Sequence, residues 1–178
     1  VNAFATGPSK NNSMVAVSTG LLNNLNEQEV RAVLAHEMGH VYNGDMFTTT
    51  VLAGLMNTFV YFISRWVYRH LAERNAAVAF GVYIFLQIVL SFLAMIPISW
   101  FSRRREFAAD AFSAQVYGRD AMISALQAID RWVNRAQIEY STQDALATMK
   151  ISGKSTGFLH LFATHPPVEE RVAALRRL

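Results

Sequence analysis

Two short β-prone runs, Asn2-Ala-Phe-Ala-Thr and Met14-Val-Ala-Val-Ser, flank Gly7-Pro8-Ser9-Lys10-Asn11-Asn12, a dense turn signal, and predict a small β-hairpin. Val30, Val33, Leu34, Met38 and Val41 then recur at helical spacing and give a helix with one buried face. Its start is marked by Asn26, which can cap, and Glu29 three residues on; its end falls near Asn43-Gly44. Phe47 to Ser64 holds no charged residue, and neither do the 26 residues from Ala76 to Phe101. The second run spans a bilayer core, which takes about 20 apolar residues. The first is shorter and carries Thr48, Thr49, Thr50 and Asn57, so it suits a short span, a core helix or a re-entrant segment. Between them Arg65–Asn75 is charged, with Trp66 and Tyr68 placed as interfacial anchors, and the whole reads as a helical hairpin.

After Ser102 the pattern turns amphipathic and predicts helices over Glu106–Tyr117 and Arg119–Ala136. Gln137–Gly157 has little periodicity and reads as a mobile loop or lid. Its Lys150-Ile-Ser-Gly-Lys-Ser-Thr-Gly run is not a phosphate-binding loop, because Thr148 stands where that motif needs its first glycine. A last helix begins at Pro166-Pro167, with Glu169 and Glu170 near its positive end and Arg176 and Arg177 near its negative end.

Composition agrees with a chain that lies partly in lipid: 52 % of residues are hydrophobic and 16 % charged, and mean hydropathy is +0.19, greasier than a typical soluble domain. The net charge of +3 comes from clusters at Arg65–Arg74, Arg103–Arg105 and Arg176–Arg177, which suit solvent or lipid headgroups rather than nucleic acid. Cysteine is absent, which excludes disulfides and thiolate metal sites. The chain opens at Val1 and Asn2–Thr6 reads as the middle of a fold, so it is read as a fragment.

His36-Glu37-Met38-Gly39-His40 matches H-E-x-x-H, whose i, i+4 spacing on a helix turns both imidazoles toward one metal. Glu37 cannot easily bind the same ion but can reach a water beside it and take its proton. On its own the motif also arises by chance in ordinary helices. A catalytic zinc needs three protein ligands and an open position, and Arg105-Glu-Phe-Ala-Ala-Asp110 offers Glu106 as the third, at the start of a new helix. Asp110, four residues on, shares its face and can orient a ligand histidine. Alternatively both carboxylates merely pair with Arg103–Arg105 at a membrane boundary. His40 precedes the hydrophobic hairpin and Glu106 follows it, so sharing one metal requires two crossings or none. The positive-inside rule leans toward a cytoplasmic site. Two histidines and a carboxylate favour one Zn²⁺ per chain, with Mn²⁺ or Fe²⁺ as alternatives by ligand type. An edge strand at Asn2, Ala3, Phe4 and Ala5 can pair with an extended substrate backbone.

Asn2-Ala-Phe-Ala, Gly20-Leu-Leu, the H-E-x-x-H helix, the hydrophobic hairpin, Arg105-Glu-Phe-Ala-Ala-Asp and Thr164-His-Pro-Pro followed by Arg171 together resemble the HtpX-like membrane metallopeptidases. These are relatives of the CAAX prenyl endopeptidases and of the mitochondrial stress peptidase of the same clan. The resemblance covers nearly the whole chain. It implies a zinc endopeptidase of the gluzincin type, multi-pass in the bacterial inner membrane with its active site toward the cytoplasm. It further implies a stress-response role in cutting damaged or misassembled membrane proteins, and two more membrane segments upstream. His165 and Arg171 match the family's C-terminal His-Pro…Arg element, which implies a place beside the zinc and a hand in holding the substrate carbonyl or oxyanion. Read as bare residues, they equally suit a helix entry and a surface charge.

The expected architecture is α+β but mainly α: a zincin-like catalytic domain with a small β-hairpin, interrupted by a transmembrane helical hairpin. Residues 1–45 would carry the zinc helix, 46–101 the membrane hairpin, and 102–178 the rest of the catalytic domain. Its expected partners are a protein or peptide substrate and the lipid bilayer, with no nucleic acid; no oligomeric state follows from the residues. A zinc-binding scaffold without activity would lack the base, and Glu37 is present. A transporter would carry ionisable groups inside the charge-free segments.

Overall fold

A computed structural model describes residues 2–143 and 164–178 of the chain. The loop expected over Gln137–Gly157 lies, from residue 144 on, outside the described residues, as does His160. The described residues are mainly helical, with one two-stranded antiparallel sheet.

The hairpin forms as strands β1 (Ala3–Ser9) and β2 (Asn12–Val17), with Ala3 opposite Val17 and Ser9 opposite Asn12. Its turn is tighter than the polar run suggests. The ladder skips between Thr6 and Ser9, at Gly7, whose φ of 152° no other residue would adopt easily. A Cβ there would stand 2.3 Å from the Asn12 carbonyl oxygen, so the bulge requires glycine. Ser18 accepts from the backbone N–H of Leu21 and opens a short helix, α1 (Thr19–Asn24), that apolar periodicity did not predict.

Helix α2 (Glu27–Asn43) starts with the expected capping box: Asn26 accepts from the Glu29 N–H, and the Glu29 carboxylate from the Asn26 N–H. It ends on Gly44, in the left-handed conformation at φ 71°. Its buried face keeps Val33 and Val41 of the expected one, with Val30 packed on the core, but departs from it at Met38. Glu29, Ala32, Val33, His36, Gly39 and Val41 are buried, whereas Met38 lies outside at 48 % exposure. The helix therefore turns its polar motif inward, and the core it joins is small: Leu21, Leu25, Ala32 and Val33 pack with residues of the two C-terminal helices.

Helices α3 (Asp45–Ala72) and α4 (Ala76–Val116) pack against each other over a three-residue connection. Both are long and apolar enough to cross a membrane, with mean hydropathies of 1.5 and 2.3 over their most apolar stretches. At 1.5 Å per residue, 28 residues reach about 42 Å, more than a hydrocarbon core of about 30 Å, so the marginal first segment is lengthened by its charged flank. Thr48, Thr49, Thr50, Thr58 and Ser64 donate their hydroxyls to the carbonyls four residues back, which satisfies them without water. The new helix expected at Glu106 does not exist as a separate element. Helix α4 runs on through Pro97 and Arg103–Arg105, so Glu106 and Asp110 project from the same rod as the apolar run.

Helix α5 (Arg119–Gln143) extends past the expected end at Ala136, and α6 (Val168–Leu175) closes the core through Val172 and Leu175. Ser113 donates to the Ala32 carbonyl at 2.7 Å and Ser124 to the Glu29 carboxylate at 2.7 Å, tying α4 and α5 to α2.

Candidate active site

The close approach of α2 and α4 assembles the site. Gly39 faces Ala109, which is fully buried; a Cβ on Gly39 would lie 3.1 Å from the Ala109 Cα and 3.2 Å from the Phe112 Cβ. That contact sets the turn that carries Glu106 and Asp110 against the turn that carries His36 and His40.

His36 Nε2 and His40 Nε2 stand 3.1 Å apart, and Glu106 oxygens lie 3.6 Å from the first and 3.4 Å from the second. Around a tetrahedral ion with bonds of about 2.0–2.1 Å, ligand atoms are separated by about 3.3–3.4 Å. The triangle fits. His36 Nδ1 is 2.9 Å from an Asp110 oxygen and His40 Nδ1 is 2.6 Å from Asp45 Oδ2. A carboxylate only accepts, so both Nδ1 atoms carry protons, and in the neutral rings both Nε2 atoms present lone pairs to each other and to Glu106. Such a cluster is repulsive unless a cation or protons sit among its atoms. His36, His40 and Glu106 are the group, among the described residues, that could hold a metal ion.

Charge in the site follows the same logic. Burial acts against the His40 imidazolium, but the Asp45 and Glu106 carboxylates more than offset it and raise its pKa to about 9. Burial likewise acts against ionised Glu106, yet His165, His40 and Arg171 hold its carboxyl far below the usual range. Asp110 is buried and still held low, by Arg171 and then His36. The Glu106 carboxylate raises the His165 imidazole, with burial working against it. The Glu106 and Asp110 carboxylates lie beyond the apolar run of α4, on its polar extension.

Arg171 is buried, and its guanidinium donates to both Asp110 oxygens, Nε at 2.7 Å and Nη2 at 2.6 Å, while Nη1 lies 3.2 Å from Glu106. His165 Nδ1 lies 3.3 Å from Glu106. The two residues of the C-terminal element thus reach the metal group, with Arg171 locked behind it and His165 at its edge. Glu37, Asn2, Ala3, Phe4 and Ala5 line the same cleft, which holds about 550 Å³. Among the described residues, strand β1 has β2 as its one neighbour in the sheet, and its other edge is unpaired. Asp45 was not singled out in the sequence, although it holds His40 and contacts Arg105, whose Nε is 3.0 Å away.

An H-E-x-x-H helix facing a glutamate on a second helix, beside a long apolar helical pair, brings together a His-His-Glu group that could hold a metal ion. The chain belongs to peptidase family M48, whose family model matches residues 1–178. It is 49 % identical to the protease HtpX of Pasteurella multocida over all of this chain and 63 % of that protein. It is 45 % identical to the protease HtpX homolog of Methylacidiphilum infernorum, again over all of the chain and 63 % of the relative. The chain thus spans somewhat under two thirds of the relatives it matches. Among solved structures it resembles the crystal structure of S. mikatae Ste24p, with a TM-score of 0.70 over 98 % of this chain and 41 % of that one, at 19 % identity. That likeness concerns the fold.

Proposed function

We propose that the protein is a zinc-dependent membrane endopeptidase. The observation that carries this reading is the triangle of two Nε2 lone pairs and one carboxylate, closed on one side and open to the cleft on the other. His36, His40 and Glu106 would hold the ion, which when bound supplies a Lewis acid that acidifies a water and polarises the scissile carbonyl. Glu37 takes the proton of the attacking water and passes it to the leaving amine. The substrate lies extended along Asn2–Ala5, adding its backbone to the edge of β1 that is unpaired among the described residues. Arg171 already directs three nitrogens at Asp110 and Glu106, so it fixes the two carboxylates and balances their charge. His165 lines the cleft 3.3 Å from Glu106 and would donate to the developing oxyanion.

Residues 1–45 and 102–178 form the catalytic part in this reading, and 46–101 the membrane hairpin that interrupts it. A site that receives its ligands from both sides of a two-helix crossing would lie at one face of the bilayer, and Arg103–Arg105 beside it weakly favour the bacterial cytoplasm for that face, since Arg65, Arg69 and Arg74 carry positive charge at the other end. Substrates would be damaged or misassembled proteins of the inner membrane. Glu37→Gln keeps the ligands and removes the base: zinc content should stay at the wild-type level while peptidase activity falls by at least ~10²–10⁴-fold. Retained cleavage in that variant would refute the role of Glu37.

A further inference from the structure

Sequence periodicity hides Asp45 from the metal group. On an unbroken helix a residue five positions beyond His40 points about 140° away from it. The left-handed Gly44 breaks the helix between them, and α3 restarts so that its first residue swings back under the imidazole. Asp45 is 4 % exposed, and both its oxygens are used: Oδ2 lies 2.6 Å from His40 Nδ1 and Oδ1 lies 3.0 Å from Arg105 Nε. The Arg105 Nε–H is not aligned for a hydrogen bond, so the attraction to Asp45 is Coulombic. The Arg105 guanidinium also lies over the Phe101 ring, 5.7 Å from its centroid.

We infer that Asp45 is the positioning residue for His40, as Asp110 is for His36, and that Arg105 clamps it there. This rests on the reading of His36, His40 and Glu106 as a zinc site. Its consequence goes beyond that site. Asp45 begins one membrane helix and Arg105 belongs to the other, next to Glu106, so the pair joins the site-side ends of α3 and α4 to a ligand. Zinc affinity is thereby made to depend on how the membrane hairpin is closed at that end.

The test is zinc affinity of the whole chain in detergent, by competition with a chromophoric chelator, with helix content followed by circular dichroism. Asp45→Ala should weaken zinc on the order of 10–100-fold with helix content unchanged. Asp45→Asn keeps the volume and an acceptor for the Nδ1–H, so it should lose less than Asp45→Ala and still bind more weakly than wild type. Arg105→Met should fall in the same direction, and Arg105→Lys should recover most of that loss. Glu27→Ala, an exposed carboxylate on the same helix as His40, should change nothing. A protein in which Asp45→Asn binds zinc within about twofold of wild type overturns the positioning role, whether or not Asp45→Ala folds. An unaffected Arg105→Met overturns the clamp. Wild type that folds and binds no zinc overturns the metal site itself, a different outcome from either.

Discussion

Each imidazole of the candidate metal group meets a carboxylate from a different helix: His36 meets Asp110 on α4, and His40 meets Asp45 at the start of α3. The surrounding negative charge makes protons and metal rivals for His40. Its raised pKa stabilises the metal-free fold fully below pH 6.5, and that contribution is lost as the pH climbs through about 9. Zinc needs the neutral imidazole, so its advantage grows over the same window. The rise in Tm on adding zinc should therefore be smallest near pH 6.5 and increase toward pH 9, measured by thermal scans at fixed zinc. A rise independent of pH would contradict the competition. At this scale the sequence was informative where chemistry follows helical spacing. His36, Glu37 and His40 are readable from i, i+4 geometry, and Glu106 with Asp110 from the same rule. Asp45 was not, because its approach depends on the φ of Gly44, which spacing does not encode. Arg171 and His165 came into view through family resemblance, since nothing local ties a C-terminal arginine to a helix sixty-one residues earlier in the chain.

The helices act as rigid carriers, and their contacts matter more than their lengths. The α2–α4 contact at Gly39 sets the distance between the histidines and Glu106, and Ala109 cannot retreat without moving the turn that carries Glu106 and Asp110. Gly39→Val should destabilise the fold by about 1–3 kcal/mol through overpacking. It should also lower zinc affinity, because the ligand triangle opens. Denaturant titration and chelator competition check the two effects separately; stability lost with affinity intact would show that the contact does not set the site. Helix α4 shows why the boundary at Glu106 was misplaced. Arg103–Arg105 looks like the end of a span, but no proline or glycine stands between Pro97 and Gly118, and arginine, glutamate and alanine continue a helix well. The buried face of α2 was read correctly at Val33 and Val41 and missed at Met38, for a related reason. Apolar residues mark the inside only when the interior is apolar, and here it holds His36 and Glu29.

For the molecule as a whole, the hairpin and the site form one construction. The chain leaves the H-E-x-x-H helix, runs out along α3, returns along α4, and delivers Glu106 to the ligands it left behind. That two long helices separate the H-E-x-x-H motif from Glu106 was readable from charge-free segments and the order of the motifs. The continuity of the returning helix was not, and it means that the position of α4 fixes Glu106 relative to the two histidines. The central claim is that His36 and Glu106, on opposite sides of the hairpin, share one zinc. Elemental analysis of purified wild type, His36→Ala and Glu106→Ala tests it most directly. The expected result is near-stoichiometric zinc in wild type and its loss in both variants. Zinc retained in Glu106→Ala, or none in a well-folded wild type, would contradict the shared site.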